Sequence, residues 1–150
     1  MKRYAQSIVF SPDFSHVMVL TKRHGPEFLL GRLNFPGGHI EEGESPEEAA
    51  SRECKEEADI TISLDAWILA RYRRFGSTAE LYTYCAVSAD IFSARSMTDE
   101  VIEIRMALPT IVDAWQFPEL FCPDFMSLLA SAIEALREAQ RCAPATPAAA

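Results

Sequence analysis

Long apolar runs are missing from this sequence. No stretch approaches the length of a membrane-spanning helix, so a helical membrane protein is excluded and no membrane partner is expected. The opening MKRYAQSIVF carries two basic residues but no long apolar segment before a small-residue cleavage site. No secretory leader is expected, and the cytoplasm is the expected compartment. Cysteine is sparse and scattered: Cys54, Cys85, Cys122 and Cys142 contain no pair with zinc-ligand or redox-motif spacing. They read as cytosolic thiols, some buried as small hydrophobes. Positive charge is in deficit, with 14 Lys and Arg against 22 Asp and Glu and a net charge of -8. A surface for the phosphate backbone of nucleic acid is therefore not expected. A small anionic ligand is not excluded, because a bound divalent cation can reverse the local field. Repeats and internal linkers are also absent, so residues 1–142 read as one domain, followed by a disordered Ala/Pro tail at 143–150.

What is present suffices for a globular core: 49% of residues are hydrophobic and 24% charged. Tyr4 to Phe10 and Val17 to Thr21 read as two strands, with the turn residues of SPDFSH between them. Phe28 to Leu30 reads as a short strand, and Asn34 to Pro36 as an extended entry to the pair Gly37-Gly38. A β-rich stretch runs from Ile60 to Phe75, with a turn at Asp65 and another at Gly76-Ser77. Leu81 to Val87 and Val101 to Leu108 show strand alternation, and IFSA within the loop Ser88 to Thr98 reads as a weak strand. Pro109 to Trp115 reads as a short helix. Asp124 to Arg141 reads as an amphipathic helix with Phe125, Leu128, Leu129, Ala132, Ile133 and Leu136 on its apolar side.

The informative stretch is Phe35 to Ile60. Ser45 is placed to cap a helix, Pro46 occupies its first position, and Glu48 completes a capping box. The helix is expected to reach about Ala58. Within it, Glu53, Glu56 and Glu57 stand at i, i+3 and i+4, on one face. Such a triplet is either a solvated acidic surface or a set of hard oxygen ligands suited to Mg²⁺ or Mn²⁺.

The order of Gly38, Glu44, Arg52-Glu53, Glu56-Glu57 and Ile60 resembles the box of the Nudix hydrolase family: a glycine, a glutamate six residues later, then REuxEExGu with u bulky and apolar. Every charged position matches. Cys54 stands at an aliphatic position, and Asp59 stands where the family has glycine. Asp59 is tolerated in a left-handed conformation less well than glycine and opposes the helix dipole, so Asp59→Gly is expected to raise stability.

The resemblance implies an α/β (α+β) fold, an α/β/α sandwich with a mixed sheet between helices. It implies a Mg²⁺-dependent (Mn²⁺ as substitute) hydrolase of a nucleoside diphosphate linked to a moiety X. By position, Glu53, Glu56, Glu57 and the Gly38 carbonyl would hold metal, and Glu44 with Arg52 would shape the site. The base would come from the box or from Asp99, Glu100 or Glu103, with Glu100 preferred. The segment KRHGPEFLLGRLNFPGG is similar to that of the branch that hydrolyses oxidised purine nucleoside triphosphates, through Arg23 and Asn34. Arg23 and Asn34 also fit an ordinary solvated loop and turn. Arg105 stands where that branch favours tryptophan, leaving a stacking wall to Phe35, Tyr72, Phe75 or Trp115. The alternatives are a nucleotide-sugar or ADP-ribose pyrophosphatase, drawing on Arg73 or Arg74, and a non-catalytic nucleotide-binding regulator. A monomer or homodimer is expected.

Overall fold

A computed structural model describes residues 1–145; the expected tail lies mostly outside them. The elements in order are β1 (Lys2–Phe10), β2 (His16–Thr21), β3 (Leu33–Asn34), β4 (Gly37–His39), α1 (Pro46–Ala58), β5 (Ile68–Phe75), β6 (Ala79–Val87), β7 (Val101–Met106), α2 (Ala107–Gln116) and α3 (Phe125–Cys142). The strands form one seven-stranded mixed sheet. β1 runs parallel to β6 along its whole length, and every other pairing is antiparallel. The α/β/α expectation holds. No helix among the described residues is long and apolar enough to cross a membrane.

Alternation along β1 builds a core on each face. Ile8 and Phe10 join Val17, Val19, Cys85 and the apolar side of α3. Ala5 and Val9 join Met18, Ala86 and the small residues Ala49, Ala50, Cys54 and Ala58 of α1. Small side chains let α1 lie close on the sheet, which fixes how far its carboxylates project.

The sheet is split where the site forms. β1 and β2 pair through Phe10 and Val17 and then separate. The chain from β3 to β4 fills the wedge: β3 pairs with β2, and β4 pairs with β1 through Tyr4/His39, Ala5/Gly38 and Gln6/Gly37. Phe35, at the join, is 2% exposed. Its ring stacks on Phe125 of α3 with centroids 4.7 Å apart.

Three local expectations are corrected. Phe28–Leu30 is not a strand: Glu27–Leu29 forms a 3-10 turn after Pro26, and Gly31 at φ 74° turns the chain back to bond Lys22. The IFSA stretch lies in a one-turn helix, Ala89–Ser93, begun by the Ser88 hydroxyl accepting from the Asp90 N–H. β7 ends at Met106, and Ala107 and Leu108 open α2. Pro109 falls in the first turn of α2, where its missing N–H costs nothing.

Candidate active site

α1 starts as its sequence dictates. The Ser45 hydroxyl accepts from the Glu48 N–H at 3.2 Å, and the Glu48 carboxylate accepts from the Ser45 N–H at 2.7 Å. Such a cap contributes about 1 kcal/mol. At the other end Asp59 is left-handed, with φ 57° and ψ 31°. Its carboxylate pairs with Lys55 and Arg95, and these partners, Lys55 first, hold it below the usual carboxylate range. The expected penalty at Asp59 is therefore offset: the charge that opposes the helix dipole is neutralised on the spot.

The three box glutamates leave α1 together but go two ways. Arg52 takes the first pair. Its Nη1 donates to Glu53 at 2.8 Å and to Glu56 at 3.2 Å. The same guanidinium donates to Glu44 through Nε at 2.9 Å and to the His39 carbonyl through Nη2 at 2.8 Å. Glu44 is the chief reason its pKa is raised. Arg52 thus clamps the β4 exit, the acidic turn and α1 together. Glu53 lies hard against Gly38: a Cβ there would fall 2.3 Å from Glu53 Oε1.

Glu57 turns the other way, into the sheet. It is 8% exposed, and its Oε2 accepts from the Gly37 N–H at 2.9 Å. Beyond it lies Glu100, 4% exposed, which accepts from Lys22 Nζ and from the backbone N–H groups of Arg23 and His24. Lys22 Nζ lies 3.1 Å from Glu100 and 3.9 Å from Glu57. Burial, and then the hydrogen bond with Glu100, push Glu57 up to about 8. Burial also pushes Glu100 upward, but the hydrogen bond with Glu57 and the Lys22 charge outweigh it, so Glu100 ends below the usual range. Of the two carboxyls, Glu57 is therefore the one more readily protonated.

Among the described residues, no three His, Cys, Asp or Glu side chains converge in a metal-holding geometry. The donor chemistry nonetheless fits a hard divalent cation. Among the described residues the carboxylates of Glu44, Glu53, Glu56, Glu57 and Glu100 pair with only two cations, Arg52 and Lys22, so negative charge is in excess there. The bare glycine at 38 leaves Glu53 room against the backbone of β4.

The other expected residues are dispersed. Asp99 binds His24 at 2.7 Å, and Glu103 is exposed on β7. The Arg23 side chain is exposed, and its backbone serves Glu100. Asn34 lines a cleft of about 290 Å³ between β5, β6, β3 and the start of α3, together with Phe28, Phe75 and Arg73. Phe35 is not a wall of this cleft; its stacking on Phe125 makes it core. Tyr72 bonds Glu80, and Arg74 bonds the Gly76 carbonyl. Trp115 is 70% exposed on α2. Arg105 bonds Asp113 and ties β7 to α2. One residue of this cluster is absent from the sequence expectations: Lys22, which the alternation of Met18 and Leu20 carries to the α1 side.

The NUDIX domain family model matches residues 1–123. Over 61 residues the chain is 36% identical to the 8-oxo-dGTP diphosphatase of Escherichia coli (strain K12), covering 41% of this chain and 47% of that protein. The 8-oxo-dGTP diphosphatase of Haemophilus influenzae is 34% identical over 61 residues, covering 41% of this chain and 43% of that one. The chain matches a little under half the length of these relatives. A MutT structure, from work on Aliivibrio salmonicida and Vibrio cholerae, superposes with a TM-score of 0.67 at 22% identity, covering 89% of this chain and 98% of that one. This last likeness is one of fold.

Proposed function

Since the chain belongs to the Nudix family, we propose that it is a metal-dependent pyrophosphohydrolase of nucleoside triphosphates, of the kind that cleanses the nucleotide pool, releasing a nucleoside monophosphate and pyrophosphate. The observation that carries this reading is the intact acidic set Glu53, Glu56, Glu57 and Glu100 around Gly37-Gly38; a separate cleft lined by Phe28, Asn34 and Phe75 is large enough for a ring. A sequence match to named 8-oxo-dGTP diphosphatases supports the same substrate class.

Glu53, Glu56, Glu57 and the Gly38 carbonyl would hold Mg²⁺, with Mn²⁺ as a substitute. Bound there, the cation would neutralise diphosphate oxygens and make a water acidic enough to attack. The residues do the rest. Arg52 keeps Glu53 and Glu56 from recoiling from each other and fixes their distance from β4. Gly37 orients Glu57 through its N–H. Glu100, held ionised by Lys22 and the backbone N–H groups of Arg23 and His24, would accept the proton of the attacking water. Lys22 stabilises that carboxylate and prevents both acids from being neutral.

Incubation with a panel of nucleoside triphosphates and Mg²⁺ should release pyrophosphate. Release of a nucleotide and a sugar phosphate from ADP-ribose instead would favour the sugar-linked class, which draws on Arg73 at the cleft. Mg²⁺-dependent binding with no turnover of any diphosphate would point to a regulator. Replacing Glu57 with Gln should slow turnover by about 10²-fold or more. A variant with near wild-type rate would remove Glu57 from the chemistry.

A further inference from the structure

Glu100 hangs at the end of an exposed strap. No helix or strand covers the chain from Ala94 to Glu100, and every residue from Arg95 to Asp99 is exposed, while Glu100 is buried. Apolar packing does not hold such a segment, so its position is left to polar contacts. On the β2 side the Glu100 carboxylate takes the Arg23 and His24 N–H groups at 3.3 and 3.4 Å, both long for such bonds, and Asp99 meets the exposed His24. Inside the strap Ser96 Oγ accepts from the Ile102 N–H at 2.9 Å and Thr98 Oγ1 from the Glu100 N–H at 3.2 Å. A shift at its start is therefore passed on to Glu100.

That start is fastened to the end of α1. The Arg95 N–H donates to the Ala58 carbonyl and the Met97 N–H to the Glu57 carbonyl, each at 3.1 Å. These are carbonyls that a helix C-terminus leaves without partners of its own. The Arg95 guanidinium closes the join, reaching Asp59 Oδ2 through Nε at 2.9 Å and Nη2 at 2.7 Å. Lys55, one turn back on α1, takes Oδ1, so the carboxylate is aimed. Asp59 keeps a left-handed backbone that glycine would adopt at lower cost. What aspartate adds at that position is its carboxylate, and the carboxylate binds the strap.

We propose that Asp59 is a positioning residue: through Arg95 it latches the strap onto α1 and so sets where Glu100 stands relative to Glu53, Glu56 and Glu57. Its effect on turnover rests on the reading of Glu100 as proton acceptor given above.

Asp59→Gly and Asp59→Asn both suit the left-handed backbone and lack the charge. Arg95→Ala removes the other half of the latch from an exposed site. Hydrogen exchange of the Arg95 and Met97 amides, followed by NMR with a chelator present, reads the strap without turnover. Exchange should quicken about fivefold in all three variants, the size of one exposed ion pair. With Mg²⁺ and a nucleoside triphosphate, kcat should fall about tenfold with KM held, because a displaced base misses the attacking water. The Tm of Asp59→Gly should stay within about 3 °C of wild type, since relief of strain offsets the lost pair. Arg95→Lys, which keeps the charge, should recover most of kcat. The double variant Asp59→Gly with Arg95→Ala should be no slower than either single one, and additive losses would count against a shared latch. Unchanged exchange would overturn the proposal. So would kcat within about twofold of wild type in the latch variants when Glu100→Gln is slowed about 10²-fold, an outcome that leaves the proton-acceptor reading intact. If Glu100→Gln keeps the wild-type rate, that reading fails, and exchange alone decides the latch. Exchange also decides it if no triphosphate is cleaved, which sinks the hydrolase reading instead.

Discussion

At the scale of single residues, Glu57 is a buried carboxyl whose surroundings oppose its ionisation. Its folded pKa, near 8, exceeds the roughly 4.3 of an unfolded glutamate, so between those values the folded state binds the extra proton. The resulting stability is fully present below about pH 4 and is lost as pH rises through about 8. Thermal melts in the presence of a chelator should therefore show Tm falling from pH 5 to pH 8. Glu57→Gln, which cannot titrate, should flatten that slope; an unchanged slope would place its origin elsewhere. The sequence showed that Glu57 shares a face with Glu53 and Glu56, because helical spacing is local. It did not show that Glu57 meets Glu100, since that contact depends on how β7 and the loop before it return past Lys22. Asp59 carries the same lesson. Its left-handed backbone was legible from the end of the helix, but Arg95, one of its two cationic partners, is 36 residues away.

At the scale of elements, the two adjacent glycines do different work. A Cβ on Gly37 would meet the Ala5 carbonyl oxygen at 2.4 Å and Gln6 Cα at 2.7 Å, both of them backbone. A Cβ on Gly38 would meet the end of the Glu53 side chain, which can move. Gly37→Ala should therefore break the β1–β4 pairing and lower Tm strongly. Gly38→Ala should keep a near-native Tm yet lose most activity, because Glu53 is pushed aside. Melting curves and pyrophosphate release on the two variants separate these effects, and equal loss of Tm in both would contradict the assignment. α1 itself was fully legible, from its capping box to its left-handed end, since each signal lies within a few residues. The strand expected at Phe28 failed for the opposite reason. Three apolar residues suit a strand or a tight turn equally, and the outcome was decided by Pro26, Gly31 and a bond back to Lys22.

At the scale of the whole molecule, the sheet has a core on each face and a wedge between β1 and β2, with Phe35 driven into the join. Phe35→Ala should cost about 3–5 kcal/mol, as truncation of a buried aromatic does. Urea denaturation would measure it, and a loss below about 1 kcal/mol would mean that the ring is not a core element. The resemblance of the box to a known family, extended to the whole chain by its size and the order of its elements, made the sandwich legible. The sequence did not disclose that one short segment belongs to two strand pairs at once, because that depends on where β1 and β2 part.

That shared segment makes the region from Leu33 to His39 intolerant of any change in length. One residue gained or lost between Phe35 and Gly37 would slip β4 against β1 and turn every side chain to the opposite face. Glu53 would lose its glycine, Glu57 its N–H partner, and Gln6 its neighbour in a single event. The exposed turn at Gly76-Ser77, outside both pairings and outside the box, offers a lineage of this chain far more freedom to lengthen or shorten.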